Sequence, residues 1–423
     1  MTDDPELADL RRAAEGGAAP ELYRWAAALL VRGAAEPARA AYARAAAQGL
    51  AEARIEFARM AMHGIGGELD LPAAHDALDA AERAGSAAAG YFIALMAVGR
   101  GDFAGAEHDR RLLAAVRAEY PPALRAAALL FGRRHGDEAA QRACLQLLER
   151  AAARGDAIAA RLLAERLARG EGCAPQPQAA AELIAQLQAH GVAIALPPIA
   201  VGAPAQRDAA SAGLISLADA AQPVASTPLS AHPRVAQADA LLSADECRLL
   251  VAQAQPTLRP SQTVDERSGV AVPNPLRDSS DASLDPVGED LALRLAQWRM
   301  ARAAGLDLVH GEHLTVLRYA PGQAYRPHRD YLSPQAQARD RPHAGDRLRT
   351  VCVYLNAVEA GGATEFPHAA LAVTPQAGRA LVFDNLDGDC QPDPASLHAG
   401  MPVLAGEKWL ATLWLRERPY RAF

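Results

Sequence analysis

The stretch Leu314-Thr315-Val316-Leu317-Arg318-Tyr319-Ala320-Pro321-Gly322-Gln323-Ala324-Tyr325-Arg326-Pro327-His328-Arg329-Asp330 decides how this chain is read. It opens on a β-branched and aromatic run, breaks at Pro-Gly, and closes on a histidine and an aspartate two residues apart. The opening run predicts a strand. Thr350-Val351-Cys352-Val353-Tyr354-Leu355, Arg379-Ala380-Leu381-Val382-Phe383 and Trp409-Leu410-Ala411-Thr412-Leu413-Trp414 read the same way, with Gly, Pro and Asp clusters between them. Many short strands after leading helices predict a sheet sandwich or jelly roll with flanking helices.

The closing residues carry the chemistry. On an extended backbone His328 and Asp330 point to one side, and a fold of this kind can bring the distant His398 to them. Two imidazoles and one carboxylate hold a non-haem Fe(II) by one face and leave the opposite positions open. Lys408, ten residues after His398, supplies a cation that can hold a dicarboxylate co-substrate. An H-x-D alone, among 12 histidines, carries little weight; the order of the surrounding blocks carries more.

Upstream of this region the character changes. From about residue 8 to 191 the chain is rich in alanine, with Leu, Arg and Glu, and reads as helical. Gly16, Gly49, Gly85, Pro121, Gly155 and Gly191 recur at intervals of 33 to 36 residues. Within one unit, a helix starting at Gly49-Leu50-Ala51-Glu52-Ala53 breaks at His63-Gly64-Ile65-Gly66-Gly67, and a second helix ends at Ala84-Gly85. A period near 35 residues with two helices predicts an all-α helical-repeat solenoid. A plain Ala-rich bundle is the alternative. Residues 192–235, with six prolines from Pro197 to Pro233, read as a Pro/Ala-rich linker. Beyond it Ser243 and Glu246 form a capping box that predicts a helix start, and a globular domain spans 236–423.

Composition sets outer limits. With 423 residues the chain exceeds one compact core. A net charge of −7 gives no basic excess for nucleic acid. The start Met1-Thr2-Asp3-Asp4-Pro5 lacks the apolar core of a secretory signal, and no apolar run reaches the ~20 residues of a membrane span. Five scattered cysteines without CxxC spacing fit a reducing cytoplasm.

The helical half, residues 10–191, resembles the Sel1-like branch of tetratricopeptide repeats, through its Ala-x-x-Gly endings and mid-repeat Gly-x-Gly breaks; the units at 100–140 match loosely. In the second half four blocks occur in order: 319–330 as quoted; Glu359-Ala360-Gly361-Gly362-Ala363-Thr364-Glu365-Phe366-Pro367; Ser396-Leu397-His398-Ala399-Gly400; and Gly406-Glu407-Lys408-Trp409-Leu410 through Trp414. They resemble the catalytic domain of prolyl 4-hydroxylases of the collagen-type and algal branch, over about residues 236–420.

The resemblance implies a double-stranded β-helix with Fe(II), 2-oxoglutarate, dioxygen, and ascorbate as the reductant that rescues oxidised iron. It implies His328, Asp330 and His398 as iron ligands, and Lys408 as partner of the distal carboxylate of 2-oxoglutarate, assisted by Thr364 and Tyr319. Tyr325, Arg347 and Trp414 would line the peptide side of the iron. His343 and His368 match no ligand position and read as exposed loop residues. The reaction implied is hydroxylation of an unactivated C–H, most readily a prolyl residue of a peptide or protein recruited by the repeats, with release of succinate and CO2. Two other readings stand beside it. One is hydroxylation of a free amino acid or other small molecule, because Pro273-Asn274-Pro275-Leu276-Arg277-Asp278-Ser279-Ser280 matches the family's substrate loop only loosely. The other is a repeat scaffold with a vestigial oxygenase domain.

Overall fold

The computed structural model describes residues 5–103, 105–201, 215–222, 224–264, 271–273 and 276–423. Asn274 and Pro275 of the candidate substrate loop therefore lie outside the described residues. The chain divides into two compact units, Met1–Met96 with Gly105–Tyr120, and Ala97–Ala104 with Pro121–Phe423.

The first unit is built of paired helices, including Ala19–Val31, Ala35–Ala47, Ala51–Met62 and Leu71–Arg83. Its core is made largely of small side chains: Ala26, Ala38, Ala45 and Ala53 are fully buried, so the helices can approach closely. Gly49 and Gly85 sit at φ of +93° and +95°, the left-handed conformation that stops a helix and that glycine adopts without a Cβ penalty. The periodic glycines are thus the punctuation that the sequence period marks.

The second unit contains four more helices, Pro121–Gly132, Glu138–Ala153, Ala157–Arg169 and Pro177–Ala189, together with the β-domain. Its large sheet has eight strands in the order Thr227–Ala231, Arg234–Ala238, Ala380–Asp384, Arg347–Tyr354, Lys408–Arg416, Thr315–Tyr319, Ser280–Ser283 and Arg259–Pro260. A four-stranded sheet runs Leu371–Val373, Thr364–Phe366, His398–Gly400, Tyr325–His328. Leu317, Tyr354, Leu381 and Phe383 of the large sheet pack with Phe366 and Val373 of the small one, so the two sheets enclose a common core. Alternate residues Val351, Val353, Leu413 and Leu415 face the other way and are equally buried. The helix Leu291–Ala303 lies against the strands Arg347–Tyr354 and Lys408–Arg416 on the large sheet. The chain thus combines paired helices with a β-sheet domain of double-stranded β-helix type.

The Pro/Ala-rich stretch differs from a plain linker. Its end carries the strand Thr227–Ala231 and leads into Arg234–Ala238, which pairs with Ala380–Asp384 in the large sheet. Thr227–Ala231 is the edge strand, where Pro228 leaves no interior ladder bond unmade. Earlier in the stretch, Ile199 is fully buried. The capping box holds: Ser243 Oγ accepts from Glu246 N, and the Glu246 carboxylate accepts from Ser243 N. No helix among the described residues is long and apolar enough to cross a membrane.

Candidate metal centre and co-substrate pocket

His328 ends one strand of the small sheet and His398 begins its neighbour, directly opposite. Between that pair and the next, Tyr325 opposite Gly400, the register shifts by a bulge. An extra residue on the first strand returns Tyr325 to the face that carries His328, and the two rings stack with centroids 3.4 Å apart. Arg326 and Pro327 are turned outward and exposed.

Asp330 follows two residues later, just past the end of the strand. The potential ligand atoms of His328, Asp330 and His398 all lie within 4.8 Å of one another, the only such cluster among the described residues. His328 Nε2 is 3.5 Å from Asp330 Oδ1, and His398 Nε2 is 3.9 Å from Asp330 Oδ2. Each imidazole uses its other nitrogen on the backbone: Nδ1 of His328 is 2.8 Å from the Arg326 carbonyl oxygen, and Nδ1 of His398 is 3.0 Å from that of Ser396. A carbonyl only accepts, so both Nδ1 atoms carry the proton and both Nε2 lone pairs are free to ligate.

The electrostatics match that task. Burial pushes His398 down to about 4, so the ring is neutral at pH 7. Burial alone would raise Asp330, but the two histidines and Arg347 hold its carboxyl well below the usual range. Phe383 and Phe366 pack on His398, at centroid distances of 4.6 and 5.6 Å, and keep water from it.

Behind Asp330 stands a set of groups that only partly declared itself in the sequence. Thr350 Oγ1 and Trp414 Nε1 donate to Asp330 Oδ2 at 2.7 and 3.0 Å, and Asn385 Nδ2 donates to Thr350 Oγ1 at 2.9 Å. Arg347 lies over the Trp414 ring at 4.0 Å and is gripped through two 2.8 Å bonds by the buried Glu312. Thr350, Asn385 and Glu312 were not singled out from the sequence. Thr350 pairs with Trp414 across the sheet, a register that no local pattern reveals.

Deeper between the sheets is Lys408, paired with Tyr319 in the large sheet and 2% exposed. Its ammonium lies 5.3 Å from the Tyr319 ring centroid and 5.4 Å from that of Tyr354. The Tyr354 hydroxyl donates to Thr364 Oγ1 at 2.6 Å. No carboxylate among the described residues pairs with Lys408, and burial pushes its amine down to about 8. A buried cation without a counter-ion is costly, and an anionic ligand would supply what is missing. Lys408 is also the only lysine of the chain. Every other basic position is arginine, a signal that a reading by motifs alone passes over. Tyr354 was missed too, although alternation along Thr350, Cys352 and Tyr354 puts it on the inner face.

The structure thus brings the triad together, and sets Lys408 between the rings of Tyr319 and Tyr354, the latter bonded to Thr364. Tyr325, Arg347 and Trp414 are half-buried and pack directly on the ligating residues. His343 and His368 are exposed and outside the cluster. The donor set fits a divalent transition metal that keeps open positions.

Residues 314–416 match the 2OG-Fe(II) oxygenase superfamily. Probable prolyl 4-hydroxylase 10 of Arabidopsis thaliana is 35% identical over 212 residues, which cover 46% of this chain and 72% of the relative. Among solved structures, the viral collagen prolyl hydroxylase of Paramecium Bursaria Chlorella virus-1 is 27% identical, with 43% of this chain and 95% of that chain covered at a TM-score of 0.34. A Sel1 repeat protein from Oxalobacter formigenes is 22% identical, with 37% and 64% covered at a TM-score of 0.33. Fe(II) and 2-oxoglutarate are implied by the family and by the His-Asp-His triad. The chain belongs to the 2OG-Fe(II) oxygenases related to the prolyl 4-hydroxylases, and is a 2-oxoglutarate-dependent dioxygenase of that kind.

Proposed function

We propose that this protein hydroxylates a prolyl residue in a peptide or protein, using Fe(II) and 2-oxoglutarate, with ascorbate as the reductant. His328, Asp330 and His398 hold the iron. Lys408 holds the distal carboxylate of 2-oxoglutarate, with Tyr319 and Thr364 beside it. Tyr325, Arg347 and Trp414 wall the substrate side. Bound together, the metal and 2-oxoglutarate would activate dioxygen, one oxygen atom going to the oxoacid as it loses CO2 to give succinate and the other entering the C–H bond.

The residues of the chain bind, orient and exclude water. The two Nδ1–H bonds to backbone carbonyls fix the imidazole tautomers and aim both Nε2 atoms inward. Thr350 and Trp414 fix the Asp330 carboxylate. Lys408 selects a dicarboxylate over a monocarboxylate, because a charge-assisted bond in a dry pocket is strong. The helical repeats are assigned to recruiting the protein substrate, as solenoids offer extended binding faces.

The observation that carries this reading is the buried, unpaired Lys408 in the same inter-sheet space as the triad. The test is succinate release from 2-oxoglutarate and Fe(II) with proline-rich peptides, read together with mass spectrometry of the peptide. A gain of one oxygen on proline, matched to succinate, is expected. Succinate release that no peptide stimulates, but that a free amino acid does, would move the substrate to the small-molecule class. No metal binding and no turnover would leave the repeats as the working part.

A further inference from the structure

We propose that Arg133, just after the helix Pro121–Gly132, and Arg166, in the helix Ala157–Arg169, are positioning residues for the 2-oxoglutarate pocket, acting through the N-terminus of the helix Ala244–Ala254. The proposal rests on the reading of Lys408, Tyr354 and Thr364 as that pocket.

The first turn of Ala244–Ala254 presents two carboxylates, both about 2% exposed. Arg166 Nη1 donates to Asp245 Oδ2 at 2.5 Å, and Arg248 Nη1 donates to Asp245 Oδ1 at 2.9 Å. Arg248 also makes two 2.7 Å bonds to Glu171, just beyond the repeat helix Ala157–Arg169. Glu246 closes the capping box and is gripped by Arg133 and by Arg299. Arg133 donates as well to the carbonyl of Leu241, at 3.3 Å. Burial would raise the Glu246 carboxyl, yet Arg133 and Arg299 hold it below its ordinary value. Charges this deep persist only when their partners are fixed, and the repeat segment supplies partners for both, Arg166 for Asp245 and Arg133 for Glu246. The same compact unit contains all of these residues.

The other side of that turn leads to the pocket. Leu242 N donates to the carbonyl of Gly378 at 3.4 Å, and Gly378 N donates to the carbonyl of Tyr354 at 2.8 Å. Gly378 has φ of +78°, and a Cβ there would run into the Leu242 carbonyl, so the approach needs glycine. Tyr354 then presents its ring to Lys408 and its hydroxyl to Thr364. A repeat arginine is thus linked through the Leu241–Leu242 backbone, Gly378 and Tyr354 to the pocket wall. A surface helix pair that only recruited substrate would need no such clamp.

The test uses full-length protein. Arg133→Met, Arg133→Lys, Arg166→Met and Gly378→Ala are compared with wild type, and with Arg142→Met, whose arginine is 59% exposed and pairs with Glu138 on its own helix. 2-Oxoglutarate is titrated calorimetrically into Mn(II)-loaded protein, and Mn(II) affinity and thermal unfolding are measured alongside. Arg133→Met, Arg166→Met and Gly378→Ala are each expected to weaken 2-oxoglutarate at least fivefold, with Mn(II) affinity within twofold; Arg133→Lys recovers part of the loss and Arg142→Met changes nothing. Gly378→Ala perturbs the same contact from the pocket side, and keeps the test open if an arginine variant fails to fold. Folded variants that bind 2-oxoglutarate like wild type would overturn the proposal, even with a lowered melting temperature. Wild-type protein that takes no 2-oxoglutarate would instead overturn the pocket reading beneath it.

Discussion

The indole Nε1 of Trp414 donates to Oδ2 of Asp330 at 3.0 Å, while His328 Nε2 lies 3.5 Å from the other oxygen, Oδ1. Trp414→Phe keeps an aromatic ring beneath Arg347 and removes only that donor. Partners of this kind are worth roughly 10–100-fold in metal affinity. With Thr350 still in place, the loss expected is about tenfold, read by competition against a chromophoric chelator. Unchanged affinity would mean that the indole does not orient the carboxylate.

Lys408→Met is expected to leave metal binding intact and to weaken 2-oxoglutarate by about ten- to a hundredfold, the value of a charge-assisted bond of roughly 1.5–3 kcal/mol. Lys408→Arg should not restore it. A planar guanidinium needs more room than the amine has between the Tyr319 and Tyr354 rings, which lie 5.3 and 5.4 Å away. Full affinity in the arginine variant would show that charge alone suffices.

The pH response of the empty pocket has a definite sign. Burial lowers the Lys408 amine from 10.5 to about 8. Only the protonated amine attracts a carboxylate, so 2-oxoglutarate affinity should fall as pH rises through about 8. Stability moves the other way: between about 8 and 10.5 the unfolded lysine keeps its proton and the folded one has lost it. The unfolded state then binds more protons, and this group favours folding increasingly as pH rises across that window. Urea unfolding of wild type against Lys408→Met, from pH 7 to 10.5, checks it; parallel curves would contradict it.

Acid should loosen the charge cluster around Glu246. Its carboxyl lies below the ordinary 4.5 in the folded protein, so its contribution is present above that value and is lost as pH falls through the folded one. Glu246→Gln should be less stable than wild type at neutral pH, and the gap should narrow in acid. Tryptophan fluorescence during urea unfolding reads this directly, and a gap that stays constant with pH would refute it.

Much of this site was legible because local order carries it. His328, Asp330, His398 and Lys408 stand in blocks whose composition already marks strands and turns, and the helical period is written in its glycines. Thr350, Asn385, Glu312 and Tyr354 were not legible, because their roles come from cross-strand register and from contacts far apart in sequence. The bulge between His328 and Tyr325 is equally silent, since one extra residue in a four-residue strand leaves no periodic trace. Residues 227–238 were read as linker or its border because Pro228 and Pro233 punctuate them. Pro228 is tolerated at the sheet edge, and Pro233 falls between the two strands.

The sole lysine permits the most direct measurement. Protein grown with lysine labelled at the ε-carbon should show a single side-chain resonance, and its titration reports Lys408 alone. An apparent pKa near 8 is expected in the free protein, moving upward when 2-oxoglutarate and a diamagnetic divalent metal are added. A resonance that titrates at the ordinary 10.5 and ignores 2-oxoglutarate would contradict the assignment of this pocket.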